Sequence, residues 1–111
     1  MAVEVNGTTI KMTRGDTLRL WLNLKDAEGY PYIPDEGDSI RFAMKANYED
    51  DVPLIVKNIP TESLLLALDP EDTKDLEQPS VYVYDIEITY ANGDVDTFIN
   101  KAKLKLTEEV Y

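Results

Sequence analysis

Apolar and polar residues alternate strictly along residues 17–25, TLRLWLNLK. A helix would spread the leucines of this segment around its circumference, whereas a strand places them all on one face. The pattern therefore predicts a strand with one buried face. Trp21 falls on the opposite face, where we expect its ring to lie over neighbouring strands. The leucines on the buried face are Leu18, Leu20, Leu22 and Leu24.

The same alternation, bounded by turn residues, predicts five further strands. Pro53 favours an edge position or a strand start for one of them, because proline cannot donate to a sheet ladder. The longest segment, SVYVYDIEITY, places three tyrosines and two isoleucines on one face. These strands span residues 8–13, 38–46, 52–59, 62–69 and 80–90.

Asn92-Gly93 follows the longest strand and is a strong hairpin signal, because a type I′ turn needs positive φ at both central residues. A two-residue turn here leads into a last strand, and all paired side chains then share one face. The predicted pairs are Tyr90 with Val95, Ile88 with Thr97, and Ile86 with Ile99.

The apolar positions of this last strand change from odd to even numbers after Ile99. One extra residue near INKAK, residues 99–103, would return the later apolar side chains to the same face, as a β-bulge does. Those side chains are Ala102, Leu104 and Leu106. The lysines between them, Lys101, Lys103 and Lys105, would then face water.

Residues 69–76, DPEDTKDL, are typical of a short helix, since Asp69 can cap it and Pro70 suits its first position. Tyr82 comes early in the strand that follows. A short helical turn before such a tyrosine resembles a tyrosine corner, in which the phenol bonds back to the preceding loop, and we assign Tyr82 this structural role.

These elements predict an all-β protein: an immunoglobulin-like antiparallel two-sheet sandwich of about seven strands, with one short helix near residues 69–76. The length of 111 residues predicts a single domain, residues 1–111. Residues 26–37 form a loop, in which Tyr30, Tyr32 and Ile33 are expected to cover one end of the core.

Arg14-Gly15-Asp16 is a known adhesion triplet that lies between the first two predicted strands. Glycine accepts positive φ, and aspartate bonds locally to the backbone, so these residue types also suit a bend. A three-residue match occurs often by chance. We therefore favour the bend over the adhesion ligand.

The chain has 22 acidic and 11 basic residues, for a formal net charge of −11, and contains neither cysteine nor histidine. The charge opposes binding to nucleic acid or to anionic lipid. No signal peptide and no membrane-length apolar run is recognisable, which predicts synthesis in the cytoplasm. Without histidine or cysteine, the usual general base, nucleophilic thiol and metal ligands are missing.

Three acidic clusters could hold calcium between loops, but none has EF-hand spacing, and solvated loops explain them better. Paired-carboxylate glycoside hydrolysis needs a cleft that this small domain is not expected to enclose. We therefore predict no enzyme activity, no cofactor and no metal site. The clusters are Asp35, Glu36 and Asp38; Glu49, Asp50 and Asp51; and Asp69, Glu71, Asp72 and Asp75.

Three stretches in order resemble a phage family: TRGDTLRLWLNLKDAEGYPYIPDEGDSIRFAMK, LDPEDTKDLEQPSVYVYDIEI and ANGDVDTFINKAKLKLTEEV. The chain is similar to small phage and prophage proteins with the immunoglobulin-like N-terminal domain of phage baseplate upper proteins. The resemblance implies a virion structural protein of the tail, baseplate or capsid decoration. Its implied partners are other virion proteins and possible further copies of itself. The candidate partner contacts are Trp21, Tyr30, Tyr32 and Tyr48, with local cover of the core as the alternative.

Two other classes stay open on the sequence alone. One is a free-standing carbohydrate- or calcium-binding β-sandwich module. The other is an acidic nucleic-acid mimic, which would need negative charge in duplex-like rows, whereas the acids here are scattered over loops.

Overall fold

The computed structural model of the chain describes residues 4–6, 8–25, 28–33, 35–76 and 81–107. The described residues form eight strands and one short helix. In chain order these are β1 (Glu4–Asn6), β2 (Thr9–Thr13), β3 (Leu18–Trp21), β4 (Ser39–Lys45), β5 (Ile55–Ile59), β6 (Leu65–Leu68), α1 (Pro70–Thr73), β7 (Val81–Thr89) and β8 (Val95–Thr107).

The strands form two sheets, one of six strands in the order β1-β2-β8-β7-β4-β5 and one containing β3 and β6. The predicted all-β sandwich is confirmed. The run β8-β7-β4-β5 has the G-F-C-C′ order of variable-type immunoglobulin domains, and β3-β6 has the place of strands B and E. One pairing departs from the antiparallel prediction, because β2 runs parallel to β8.

The core lies between the inner faces of the sheets and follows the predicted alternation. Tyr82, Tyr84, Ile86 and Ile88 of β7 are buried, as are the even-numbered apolar residues of β2, of β4 and of β8 after Lys101. The small sheet contributes residues that include Leu18, Leu66 and Leu68. Apolar packing of this kind is the main stabilising contribution in a domain of this size.

β3 is shorter than the predicted strand, but the alternation of burial continues past its end. The N–H of Leu22 donates to the carbonyl of Leu64 at 2.8 Å, and the carbonyl of Leu24 accepts from Tyr32 N–H at 2.9 Å. Both partners lie in loops, which is why the regular ladder ends at Trp21. The helix is also shorter than predicted and ends at Thr73.

The β7–β8 turn differs from the predicted type I′ turn. Of the central pair, Gly93 alone has positive φ, at 95°. The N–H of Gly93 donates to the carbonyl of Tyr90 at 2.9 Å. The N–H of Tyr90 donates to the carbonyl of Asp94 at 2.7 Å. The loop therefore has a third residue, a pattern typical of a type I turn followed by a left-handed glycine. The side-chain oxygen of Asn92 accepts from Asp94 N–H at 2.9 Å and stabilises this turn locally.

The longer loop changes the pairing next to it. The predicted pair of Ile86 with Ile99 is confirmed, whereas the two predicted pairs nearer the turn are wrong by one residue. The observed pairs are Thr89 with Val95, Ile88 with Asp96, and Glu87 with Thr97.

The predicted bulge in β8 is confirmed. Tyr84 pairs with Ala102 although Ile86 pairs with Ile99, so β8 has one extra residue opposite Asp85. Lys101 takes a left-handed φ of 53°, and its N–H donates to Asp85 Oδ1 at 2.7 Å. Beyond the bulge the apolar side chains are buried and the alternating lysines are exposed.

The left-handed backbone of Lys101 predicts an unusual response to glycine. A left-handed φ costs a non-glycine residue roughly 1 kcal/mol, and a glycine at this position removes that cost. Glycine inside a regular strand lowers stability by about the same amount, so the two effects nearly cancel at position 101. We expect Lys101→Gly to leave the free energy of unfolding unchanged or slightly raised. Lys103→Gly, in regular strand two residues on, should lower it by about 1 kcal/mol. Urea unfolding of both variants is the measurement, and equal losses would contradict the bulge.

Candidate functional site

An apolar groove lies where the two sheets meet beside β3. β3 pairs with β6 on one side, and no strand among the described residues pairs with its other side. The groove encloses about 420 Å³. We call it the edge groove; it is lined by Thr8, Ile10, Leu20, Trp21, Leu22, Asn23, Leu24, Lys25, Tyr84, Phe98 and Ile99.

The sequence builds this groove from both sheets. Leu20 and Leu22 continue the buried face of β3 but remain half-buried, because they lie at the open side of the sandwich. The hydroxyl of Tyr84 donates to the carbonyl of Thr8 within the lining. Burial raises the pKa of Tyr84 to about 12. The groove therefore offers an apolar surface next to the free edge of a strand.

Three of the four predicted contact residues are exposed. Trp21 is 68% exposed and lines the edge groove, so its ring does not lie over neighbouring strands as expected. Tyr30 is 66% exposed outside this groove. Tyr48 lies on the outer face of the large sheet, with Lys101 Nζ 4.4 Å from its ring centroid. The structure therefore does not bring these aromatics together into one site.

The fourth, Tyr32, is half-buried and holds a loop in place. Its ring contacts Phe98 edge to face with centroids 5.2 Å apart, and its hydroxyl donates to Asp38 Oδ2 at 2.6 Å. This hydrogen bond is the main reason that the pKa of Asp38 is lowered. Burial is the main reason that the pKa of Tyr32 is raised. Tyr32 covers the core as predicted, whereas the same prediction for Tyr30 and Ile33 is wrong, since both are exposed.

The tyrosine-corner assignment of Tyr82 stays a prediction. Tyr82 is fully buried at the predicted place, and its hydroxyl interacts with Arg14. Burial is the main cause that raises its pKa, while the charge of Arg14 acts in the opposite direction. Residues 77–80 of the preceding loop lie outside the described residues, so the loop contact expected of this hydroxyl is not tested.

Arg14 and Gly15 fasten the loop between β6 and β7. Arg14 is only 8% exposed, and its Nε donates to the carbonyl of Leu76. The N–H of Gly15 donates to Oγ1 of the buried Thr73 at 2.8 Å. Gly15 has the positive φ expected of the bend, at 84°. The triplet is thus a structural bend whose arginine points into the protein, and sequence reasoning missed this tie because the partners are about sixty residues apart.

The acidic clusters have local structural contacts. Asp38 Oδ2 accepts from Asp35 N–H at 3.1 Å, and Asp50 Oδ2 accepts from Asn47 N–H at 3.0 Å. Asp72 Oδ2 accepts from Asp69 N–H at 2.7 Å at the start of α1. Carboxylates that accept from the backbone a few residues away stabilise turns and helix starts. Within the described ranges no acidic group is arranged to hold a metal ion.

Comparison of the chain with protein-family models, with curated proteins and with solved structures finds no match. In the part of the chain that the structure describes, no helix has the length and apolar character needed to span a membrane.

The tie between Arg14 and Leu76 predicts a stability difference between two arginines. Arg14→Met keeps the apolar stem but leaves the Leu76 carbonyl without its donor, which should lower the free energy of unfolding by about 2 kcal/mol. Arg41→Met is the matched control, because Arg41 pairs with Glu87 in a surface contact worth at most about 1 kcal/mol. Chemical denaturation compares the two, and equal effects would contradict the structural role of Arg14.

The raised pKa of Tyr84 predicts a loss of stability in alkali. The unfolded chain releases this proton near pH about 10, whereas the folded chain holds it to about 12. Folding is therefore favoured below the unfolded pKa, and this contribution is lost as pH rises through the folded pKa. Stability measured across this window should fall less steeply for Tyr84→Phe than for the wild type. Parallel slopes would contradict the assignment.

Proposed function

We propose that the protein is a phage virion structural protein that acts by docking on other virion proteins, without catalysis. It would belong to the tail or baseplate, or decorate the capsid. Two features support the proposal: the ordered sequence stretches that resemble the immunoglobulin-like domain of baseplate upper proteins, and the sandwich fold. The observation that carries the docking role is the edge groove beside the free edge of β3.

The groove suits an extended segment of a neighbouring protein. A peptide that adds to a strand edge gains main-chain hydrogen bonds, and its alternate side chains enter pockets. Leu20, Leu22 and Leu24 alternate along one wall and offer such pockets at the two-residue period of a strand. The proposed occupant is therefore a strand-forming segment with apolar residues at every second position.

Trp21 is the main candidate contact residue of the edge groove. A large aromatic side chain that is exposed in the free protein and lines an apolar groove is the residue type that dominates many interfaces. The net charge of −11 keeps copies of the chain apart in a non-specific encounter. Docking would therefore depend on specific surfaces such as the edge groove.

The test is incorporation into particles. Trp21→Ala should change the free energy of unfolding by no more than about 0.5 kcal/mol, because the ring is exposed. In particles purified from the bacterial host, quantitative mass spectrometry should find the wild type at a fixed ratio to the other structural proteins. Trp21→Ala should be depleted several-fold. Ile33→Ala is the matched control, since Ile33 is 79% exposed and lies outside the groove.

If the wild-type protein is expressed but absent from the particles, the proposal is contradicted. Melting temperatures with calcium and with a glycan panel test the competing class. A shift with either ligand would favour the carbohydrate- or calcium-binding module.

A further inference from the structure

The turn between β7 and β8 exposes the pair Asn92-Gly93 to solvent. Apart from the neighbours of Gly93 in the chain, no atom of the described residues lies within 4 Å of where a side chain at this position would begin. An asparagine that precedes glycine can react with its own backbone, because glycine has no side chain to keep the next amide nitrogen away from the carboxamide. Asn47 is also exposed in a turn, but the bulky Tyr48 follows it.

Three hydrogen bonds restrain the atoms that would react. The N–H of Gly93, whose proton must leave, donates to the carbonyl of Tyr90 at 2.9 Å. The side-chain oxygen of Asn92 accepts from Asp94 N–H at 2.9 Å, and its Nδ2 donates to Asp94 Oδ2 at 3.2 Å. The closed turn therefore engages both the nucleophile and the carboxamide that it would attack.

We propose that Asn92 is a site of spontaneous deamidation and that opening of this turn controls the rate. Exposed turns open locally at a low cost in free energy, and opening frees the N–H of Gly93. Hydroxide removes that proton, and the nitrogen then attacks Cγ of Asn92. The bond from Cγ to Nδ2 breaks, and Nδ2 leaves as ammonia with a proton taken from water. The immediate product is a cyclic imide.

Water then opens the imide at one of its two carbonyl carbons. Attack at Cγ gives aspartate at position 92. Attack at the backbone carbonyl carbon gives isoaspartate, in which the chain continues through the former side chain. The net reaction consumes one water and releases one ammonia, and no group is oxidised or reduced.

Both products disturb the turn. Isoaspartate lengthens the backbone path inside a loop whose length sets the pairing of Thr89 with Val95. Aspartate replaces the Nδ2 donor with an oxygen that faces Asp94 Oδ2, and two carboxylates in such contact repel each other. Deamidation therefore loosens the end of the β7–β8 hairpin and adds a negative charge to an already acidic chain.

Peptide mapping by mass spectrometry after incubation in mildly alkaline buffer measures the rate at each asparagine. In the folded protein Asn92 should convert many times faster than Asn47. In the urea-unfolded protein Asn92 should convert several-fold faster still, because the turn no longer restrains it. The other Asn-Gly pair, Asn6-Gly7, falls in a separate peptide, and its glycine lies outside the described residues. Conversion of Asn92 no faster than that of Asn47, or equal rates in folded and unfolded protein, would overturn the proposal.

Two aspartate variants test the restraint inside the folded protein. Asp94→Ala removes the acceptor of Nδ2 and should speed the conversion of Asn92 several-fold. Asp96→Ala is the matched control with the same change in charge and should leave the rate unchanged. Asp96 is exposed, and its Oδ1 accepts from Thr97 N–H rather than from Asn92. Circular dichroism confirms that each variant is folded.

Slower conversion in Asp94→Ala, or an equal effect of the control, would contradict the restraint. The proposal does not depend on the virion role, so the particle experiment stands or fails separately.

Discussion

The structure depends on the register of β8 against β7, which shifts twice, once between Ile86 and Glu87 and again opposite Asp85. Side chains in a strand alternate between two faces, so each inserted residue exchanges the faces for everything that follows. Without the extra residue opposite Asp85, Leu104 and Leu106 would point to water and the lysines between them to the core. The bond from Lys101 N–H to Asp85 stabilises the insertion and links the two strands where the ladder is interrupted. The burial of Leu104 and Leu106 and the exposure of the lysines between them both follow from this register.

A second constraint is the tie between the bend at residues 14–16 and the loop before β7. A protein without disulfides must hold its long connections with hydrogen bonds and packing. Arg14 satisfies the backbone carbonyl of Leu76, and Gly15 uses the buried hydroxyl of Thr73 at the end of α1. The loop is thereby fixed against the end of β2, close to the point where β2 joins β8 in parallel. Apolar packing around Tyr82 completes this end of the sandwich.

These two constraints leave two surfaces of different character. The edge groove is apolar and lies beside an open strand edge, which suits an extended segment held by main-chain bonds. The outer face of the large sheet carries charges of both signs side by side, since Arg41 and Lys45 line the same depression as Asp51, Asp85 and Glu87.

The sequence determined seven of the eight described strands, their buried faces, the bulge and the short helix, because each rests on local alternation or on the chemistry of a few adjacent residues; β1 was missed. Ile86 lies opposite Ile99 as predicted although the turn type was wrong, because the register shift between Ile86 and Glu87 compensates for the longer loop. The type of the β7–β8 turn, the parallel pairing of β2 and the inward direction of Arg14 were decided by the tertiary structure. So was the edge groove, whose residues come from strands far apart in the chain. The alternation of apolar and polar residues predicts which face of a strand is exposed to solvent. Only the assembled sheets decide which exposed residues are neighbours and which strand edge stays unpaired.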